Sequence, residues 1–154
     1  TIHASPNSNS EDSIQWIDSS SVESFKSNYS KYTGYINMQS IDTQEIFEYR
    51  TVNEWNVPNG DNDVFLEVDY KTNINMQFGI YADKQFSVEQ IGVFVVSPTG
   101  GEWKKIYINL NSETGTLKDS DKIQIFFGIY NDGEKNPGFV PEIYIDNLKL
   151  VHLD

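Results

Sequence analysis

Cysteine and histidine, which nucleophilic and zinc catalysis draw on, are nearly missing from this chain, and their spacing does not bring them together. Cysteine is absent, and the two histidines, His3 and His152, stand near opposite termini. A Ser-His-Asp or Cys-His device needs a His or Cys held by the scaffold against its partner. Neither histidine has neighbours at the spacing of a zinc site. Nucleophilic and zinc catalysis are set aside. Without cysteine, redox usage says nothing about the compartment.

Carboxylates are plentiful, 23 against 11 basic residues, so acid pairs have to be weighed. Retaining glycosidases hold two of them roughly 5 Å apart, and inverting ones hold them somewhat farther. Glu67 and Asp69 share a strand face and superficially match the Glu-x-Asp of some sandwich glucanases. That motif continues to a further Glu on the same strand, and here Tyr70, Lys71 and Thr72 occupy those positions. The pair reads as a solvated outer face with Lys71 nearby. No Gly-rich loop with a Lys follows a strand in the form that cradles phosphate, and Gly100-Gly101 reads as a hairpin turn.

What remains is aromatic. Phe78-Gly79-Ile80-Tyr81 returns as Phe127-Gly128-Ile129-Tyr130, each copy followed by any residue and then Asp. Strand side chains alternate, so Phe and Ile point to one face and Gly and Tyr to the other. The aliphatic face is core. The other offers backbone beside a ring, a platform for a flat ligand. Sugar rings present C–H faces to Tyr and Trp, and amides bond their hydroxyls. Gln77, Tyr81, Gln124, Phe126 and Tyr130 share this face if the two strands are neighbours. Trp55 sits in the polar stretch Asn53-Glu54-Trp55-Asn56 with no evident core duty, whereas Trp103 opens a strand and reads as core. The competing explanation is that loops cover these rings or that they pack across strands.

The surrounding segments are strand-like. Ile14–Ile17, Tyr32–Met38, Glu45–Val52, Val64–Tyr70, Ile91–Val96, Trp103–Leu110, Lys122–Tyr130 and Glu142–Val151 join the first Phe-Gly-Ile-Tyr strand. These are about nine strands at the spacing of sandwiches and barrels. Asp18–Ser21 reads as the cap of a helical turn or as a loop. Lys71-Thr72-Asn73 reads as the turn of a hairpin joining the strands around it. Crossover helices for a parallel sheet have no room. The expected fold is all-β, an antiparallel two-sheet β-sandwich of jelly-roll type. In the last strand Ile143 and Ile145 share one parity and Leu148 and Leu150 the other, which predicts a bulge at Asp146-Asn147.

At 154 residues the chain suits one domain with a core of its own. A net charge of -12, with Arg50 the sole arginine, excludes nucleic acid and anionic membrane surfaces as partners. No apolar stretch approaches the length of a transmembrane helix, so the domain itself is not expected to insert. Residues 1–13 are almost wholly polar and read as a disordered tether, with 14–154 the single sandwich domain. The start at Thr1 suggests a leader removed upstream.

Glu142-Ile143-Tyr144-Ile145-Asp146-Asn147-Leu148-Lys149-Leu150 resembles the closing strand of jelly-roll carbohydrate-binding modules and galactose-binding-like domains. Gly101–Leu110 is similar to their Trp-initiated strand, and Phe65–Lys71 to their central strand. Together these stretches also resemble small surface lipoproteins of Bacteroides-type bacteria, covering roughly residues 63 to 154. The resemblance implies an extracellular or cell-surface location, at the outer membrane for a Bacteroides-type protein, with an upstream lipid anchor. It implies a structural Ca2+ at Asp146. A hard cation needs six or more oxygens, and Glu11, Asp12 and Asp18 are the loosely placed others. The alternative is that Asp146 hydrogen-bonds the bulge backbone.

The expectation is therefore a non-catalytic extracellular binding module for carbohydrate. Tyr81, Tyr130, Phe126 and Trp55 would stack on the glycan, and Gln124 and Gln77 would bond it. A structural or protein-interaction domain meeting a surface protein is the rival, and a glycoside-active enzyme comes third.

Overall fold

The computed structural model describes residues 2–4, 15–18, 32–37, 46–51, 54–57, 63–84, 87–118, 121–130 and 139–152. In chain order these form β1 (Ile2–Ala4), β2 (Gln15–Asp18), β3 (Tyr32–Asn37), β4 (Ile46–Thr51), β5 (Trp55–Asn56) and β6 (Val64–Thr72). There follow β7 (Met76–Lys84), β8 (Ser87–Val96), β9 (Lys104–Asn109), a single turn α1 (Asn111–Thr114), β10 (Lys122–Tyr130) and β11 (Glu142–His152). One sheet runs β1-β4-β10-β7-β8, with β5 also on β10; the other runs β2-β3-β11-β6-β9. Every pairing is antiparallel. Among the described residues no helix is long and apolar enough to cross a membrane.

The core lies where the alternation puts it. Val64, Leu66, Val68 and Tyr70 of β6 meet Phe78 and Ile80 of β7 and Ile123, Ile125, Phe127 and Ile129 of β10, all buried. Tyr49 of β4 stacks on Phe127 at 5.5 Å between ring centroids. A fully buried side chain of this size contributes roughly 1.5–3 kcal/mol, so the two inner faces hold the sheets together.

Two strands escaped the sequence reading because they are short. β5 pairs with β10 through Ile123 and Trp55, and Trp55 packs against the core. The ring expected to be free for a ligand has a packing duty after all. β1, within the stretch expected as a tether, pairs with β4. The remainder of that tether and the helical turn expected after Asp18 lie outside the described residues.

The expected hairpin between β6 and β7 is not formed. Lys71-Thr72-Asn73 instead carries the chain from one sheet to the other. The Gly100-Gly101 turn does the same between β8 and β9, with φ values of 69° and 89°. The two crossings are stitched together: Thr99 N–H donates to the Thr72 carbonyl at 2.9 Å, and Thr72 N–H donates to Thr99 Oγ1 at 3.3 Å. Turn residues permit a reversal, but they do not say whether the returning strand pairs in the same sheet or faces it.

The bulge expected in β11 is present, as a register shift between Asp146 and Lys149. Asn147 takes a left-handed φ of 50°. Its backbone N–H donates to Asp146 Oδ1 at 2.7 Å, and its side-chain amide donates to Asp69 Oδ2 at 2.7 Å. Asn is among the non-glycine residues that tolerate the left-handed region, whereas Ala pays roughly 1–2 kcal/mol there, and a lost hydrogen bond costs about 1 kcal/mol. Asn147→Ala should therefore destabilise by about 2 kcal/mol in urea unfolding, and Asn147→Gly, which keeps the conformation, by about half that. Equal costs for the two variants would show that the conformation carries no penalty.

Candidate ligand-binding face

The site is built on the outer face of the β4-β10-β7-β8 sheet. Tyr49 is buried between the sheets, so its neighbours Glu48 and Arg50 point the other way. The same alternation turns Gln124 and Phe126 of β10, Gln77, Gly79 and Tyr81 of β7, and Gln90 and Gly92 of β8 to this side. Register places Tyr81 between Gln124 and Gln90, and Gly79 between Phe126 and Gly92. The twin strands are neighbours.

Because they are antiparallel, their tyrosines are not. Tyr81 pairs with Gln124, whereas Tyr130 pairs with Ile46 of β4, six positions farther along β10. Six strand residues span roughly 20 Å, so the two positions stand at opposite ends. The joint Tyr81–Tyr130 surface is not formed.

Nor is the glycine patch bare. Phe126 is only 2% exposed, and its ring fills the space over Gly79. A Cβ there would lie 2.5 Å from that ring and 2.2 Å from the Ile91 carbonyl oxygen. The Gln77 side chain occupies the space over Gly92, 2.0 Å from where a Cβ would sit. The glycines are seats for side chains of the sheet's own strands. Phe126 is therefore not an open stacking ring, and it acts by propping Tyr81 at 5.3 Å between centroids.

Tyr81, next to Phe126 in the sheet, is only half-buried. The Arg50 guanidinium lies over its ring, 5.5 Å from the centroid, a contact worth about 0.5–1 kcal/mol at an exposed site. The Tyr81 hydroxyl donates to Glu48 Oε1, and the Gln90 side chain donates to Glu48 Oε2. Strands neighbour at about 4.8 Å, so a flat sheet would hold β4 and β8 roughly 14 Å apart. Glu48 nevertheless meets Gln90, which requires the sheet to curl towards this face. Gln124 donates to the Thr51 carbonyl at 2.7 Å and ties β10 to the end of β4. Sequence reasoning named Tyr81, Gln77 and Gln124 and missed Glu48, Arg50 and Gln90. The one signal available was a lone arginine in an acidic chain.

The opposite outer face is occupied by its own charges. Glu67 pairs with Lys105 at 2.7 Å and Lys149 at 3.4 Å, and Asp69 with Lys105 at 3.1 Å. The Lys105 hydrogen bond holds the Glu67 carboxyl below its usual range. The lysine expected beside them, Lys71, packs instead on aromatic rings. It is buried at 8% exposure and sits 4.2 Å from the Tyr144 ring and 5.8 Å from Trp103. Burial lowers its pKa, against the opposing charges of Glu142 and Glu102. Trp103, expected in the core, thus packs edge-on to Tyr144 outside it. Among the described residues no three His, Cys, Asp or Glu side chains gather as metal ligands. Asp146 is engaged at the bulge, and the side chains of Glu11, Asp12 and Asp18 lie outside what is described.

Over nearly its whole length the chain superposes on solved structures. A family 11 carbohydrate-binding module from Clostridium thermocellum, in complex with a β-1,3-1,4-mixed-linked tetrasaccharide, matches with a TM-score of 0.59 at 15% identity. That match covers 98% of this chain and 87% of the other. The fold is the jelly roll of carbohydrate-binding modules. A family 61 module in complex with β-1,4-galactotriose matches with a TM-score of 0.58 at 11% identity, covering 99% of this chain and 88% of that one. No protein-family model matches the sequence. No curated protein matches it either.

Two outcomes test the face. Gly79→Ala drives a methyl into backbone and should cost about 3 kcal/mol in denaturant unfolding. Gly100→Ala, where nothing lies within 4 Å, should cost only about 1 kcal/mol for its positive φ. Burial first, and then the bond to Glu48, push the Tyr81 hydroxyl from 10 to about 12, with Arg50 opposing. Between those values the folded state holds a proton that the unfolded state has released. Tyr81's contribution is therefore complete below pH 10 and is lost as pH rises towards about 12. Melting temperatures from about pH 9 to 12 should fall more steeply for the native chain than for Tyr81→Phe. Parallel curves would refute the assignment.

Proposed function

We propose that this domain is a non-catalytic carbohydrate-binding module whose ligand lies along the curled face of the β4-β10-β7-β8 sheet. The observation that carries the reading is the Arg50–Tyr81–Glu48–Gln90 cluster. It joins a half-buried ring, propped by Phe126 and overlaid by the Arg50 guanidinium, to a carboxylate and an amide, with Arg50 and Gln90 exposed. Such a set serves a sugar, whose C–H face needs a ring and whose hydroxyls need both donors and acceptors. The jelly-roll likeness supports it, since both superposed modules hold oligosaccharides in their structures. Gln77 and Gln124 line the same face. The absence of cysteine, the distance in sequence between the two histidines and the ion-paired state of Glu67 and Asp69 support a non-catalytic role. An extracellular or cell-surface location fits a glycan partner.

Exposed Val88, Phe94 and Val95 on the edge strand β8 favour a second reading, docking of a surface protein by strand addition.

A glycan array followed by isothermal titration tests the first reading. Binding to a β-linked glycan is expected, with Tyr81→Ala weakening it at least about tenfold, or ~1.4 kcal/mol. A protein that binds no plant, host or microbial glycan is not such a module.

A further inference from the structure

Glu48 stands two residues from Arg50 on one strand face, yet no ion pair joins them among the described residues. Each group is committed elsewhere: Arg50 stacks on Tyr81, and the two oxygens of Glu48 each take one donor, from Tyr81 and Gln90. In a chain with 23 acids and 11 bases, a cation on a sheet face is easily neutralised. Lys105, Lys122, Lys149 and Lys84 all have carboxylate partners. Among the described residues Arg50 has no such pair: it stacks on Tyr81, while Glu48 takes its two neutral donors.

A carboxylate has about four acceptor sites, so two remain on Glu48 once Tyr81 and Gln90 are counted. They accept from hydroxyl groups and offer nothing to an acid. Arg50 supplies the complementary donors. Together the two groups fit adjacent hydroxyls on one ring, one donating to Glu48 and the other accepting from Arg50.

We infer that Glu48 is the specificity-determining residue of this face, selecting uncharged, hydroxyl-rich glycans and rejecting uronates. The inference rests on the carbohydrate-binding reading above and adds the ligand class to it. A ligand carboxylate near Glu48 meets like charge on a partly buried group, within a field set by a net charge of -12. Arg50 alone would favour an acid; its placement beside a doubly held carboxylate turns it to hydroxyl recognition.

The test compares one polymer in two charge states. Mixed-linkage β-glucan and β-1,4-galactan are each titrated before and after partial oxidation of their C6 hydroxyls to carboxylates. The native chain should bind at least one neutral polymer and lose tenfold or more on its oxidised form. Glu48→Gln removes the charge and keeps an acceptor, so the neutral-to-oxidised ratio should shrink to within about threefold. Arg50→Gln should weaken binding to both forms without narrowing that ratio. Circular dichroism establishes that each variant is folded, and the native ratio stands by itself if one is not. Equal or tighter binding of the oxidised polymer by the native chain overturns the role of Glu48 and leaves the carbohydrate reading intact. So does an unchanged ratio in Glu48→Gln. Binding to neither polymer nor any arrayed glycan overturns both.

Discussion

The pairing of β7 with β10 is the constraint on which both faces of the molecule depend. Phe78 lies opposite Phe127 in that register, with 6.2 Å between ring centroids. On the side facing the second sheet, this contact joins Tyr49 and Tyr70 into the aromatic centre of the core. On the far side the same register sets Gly79 under Phe126 and Tyr81 beside Gln124. A slip of β7 by one residue would turn Phe78 to solvent and Tyr81 inward. The core therefore fixes the outer face, because alternation leaves each strand only one way to satisfy both.

The two outer faces solve the problem of charge in opposite ways. On the β11-β6-β9 side, Glu67, Asp69, Lys105 and Lys149 neutralise one another across three strands. Their effect is to leave that side with its charges matched. On the β4-β10-β7-β8 side, Arg50 is spent on a ring and Glu48 on two neutral donors. Hydrogen-bonding capacity remains directed outward there. That asymmetry, rather than any count of aromatics, distinguishes the ligand-binding candidate from the back of the sandwich.

The glycines on that face have a different meaning from the one their spacing suggests. Gly79 and Gly92 give room to Phe126 and Gln77, whose side chains fold flat over the backbone. Of the two, Phe126, which read as a ligand contact, thereby becomes part of the support beneath Tyr81. The face is narrower in aromatics and richer in polar groups than the repeated Phe-Gly-Ile-Tyr strand implies. Its curl brings Glu48 to Gln90 across two intervening strands.

What the amino-acid sequence determines by itself is whatever depends on one strand at a time. Alternation along Val64–Tyr70 and Lys122–Tyr130 marks the core positions, and the parity change between Ile145 and Leu148 marks the bulge. The length and turn spacing mark an antiparallel sandwich. Which strands become neighbours is a different matter. Thr72 and Gly100 both sit at turns that look like hairpins and instead cross between sheets, since a local reversal carries no information about its distant partner. Trp55 packs against the core and Trp103 outside it for the same reason. Glu48 and Arg50 come from β4, whereas Tyr81 and Gln90 come from the later, paired strands β7 and β8, and only β10, inserted between β4 and β7 from still farther along the chain, assembles them on one face.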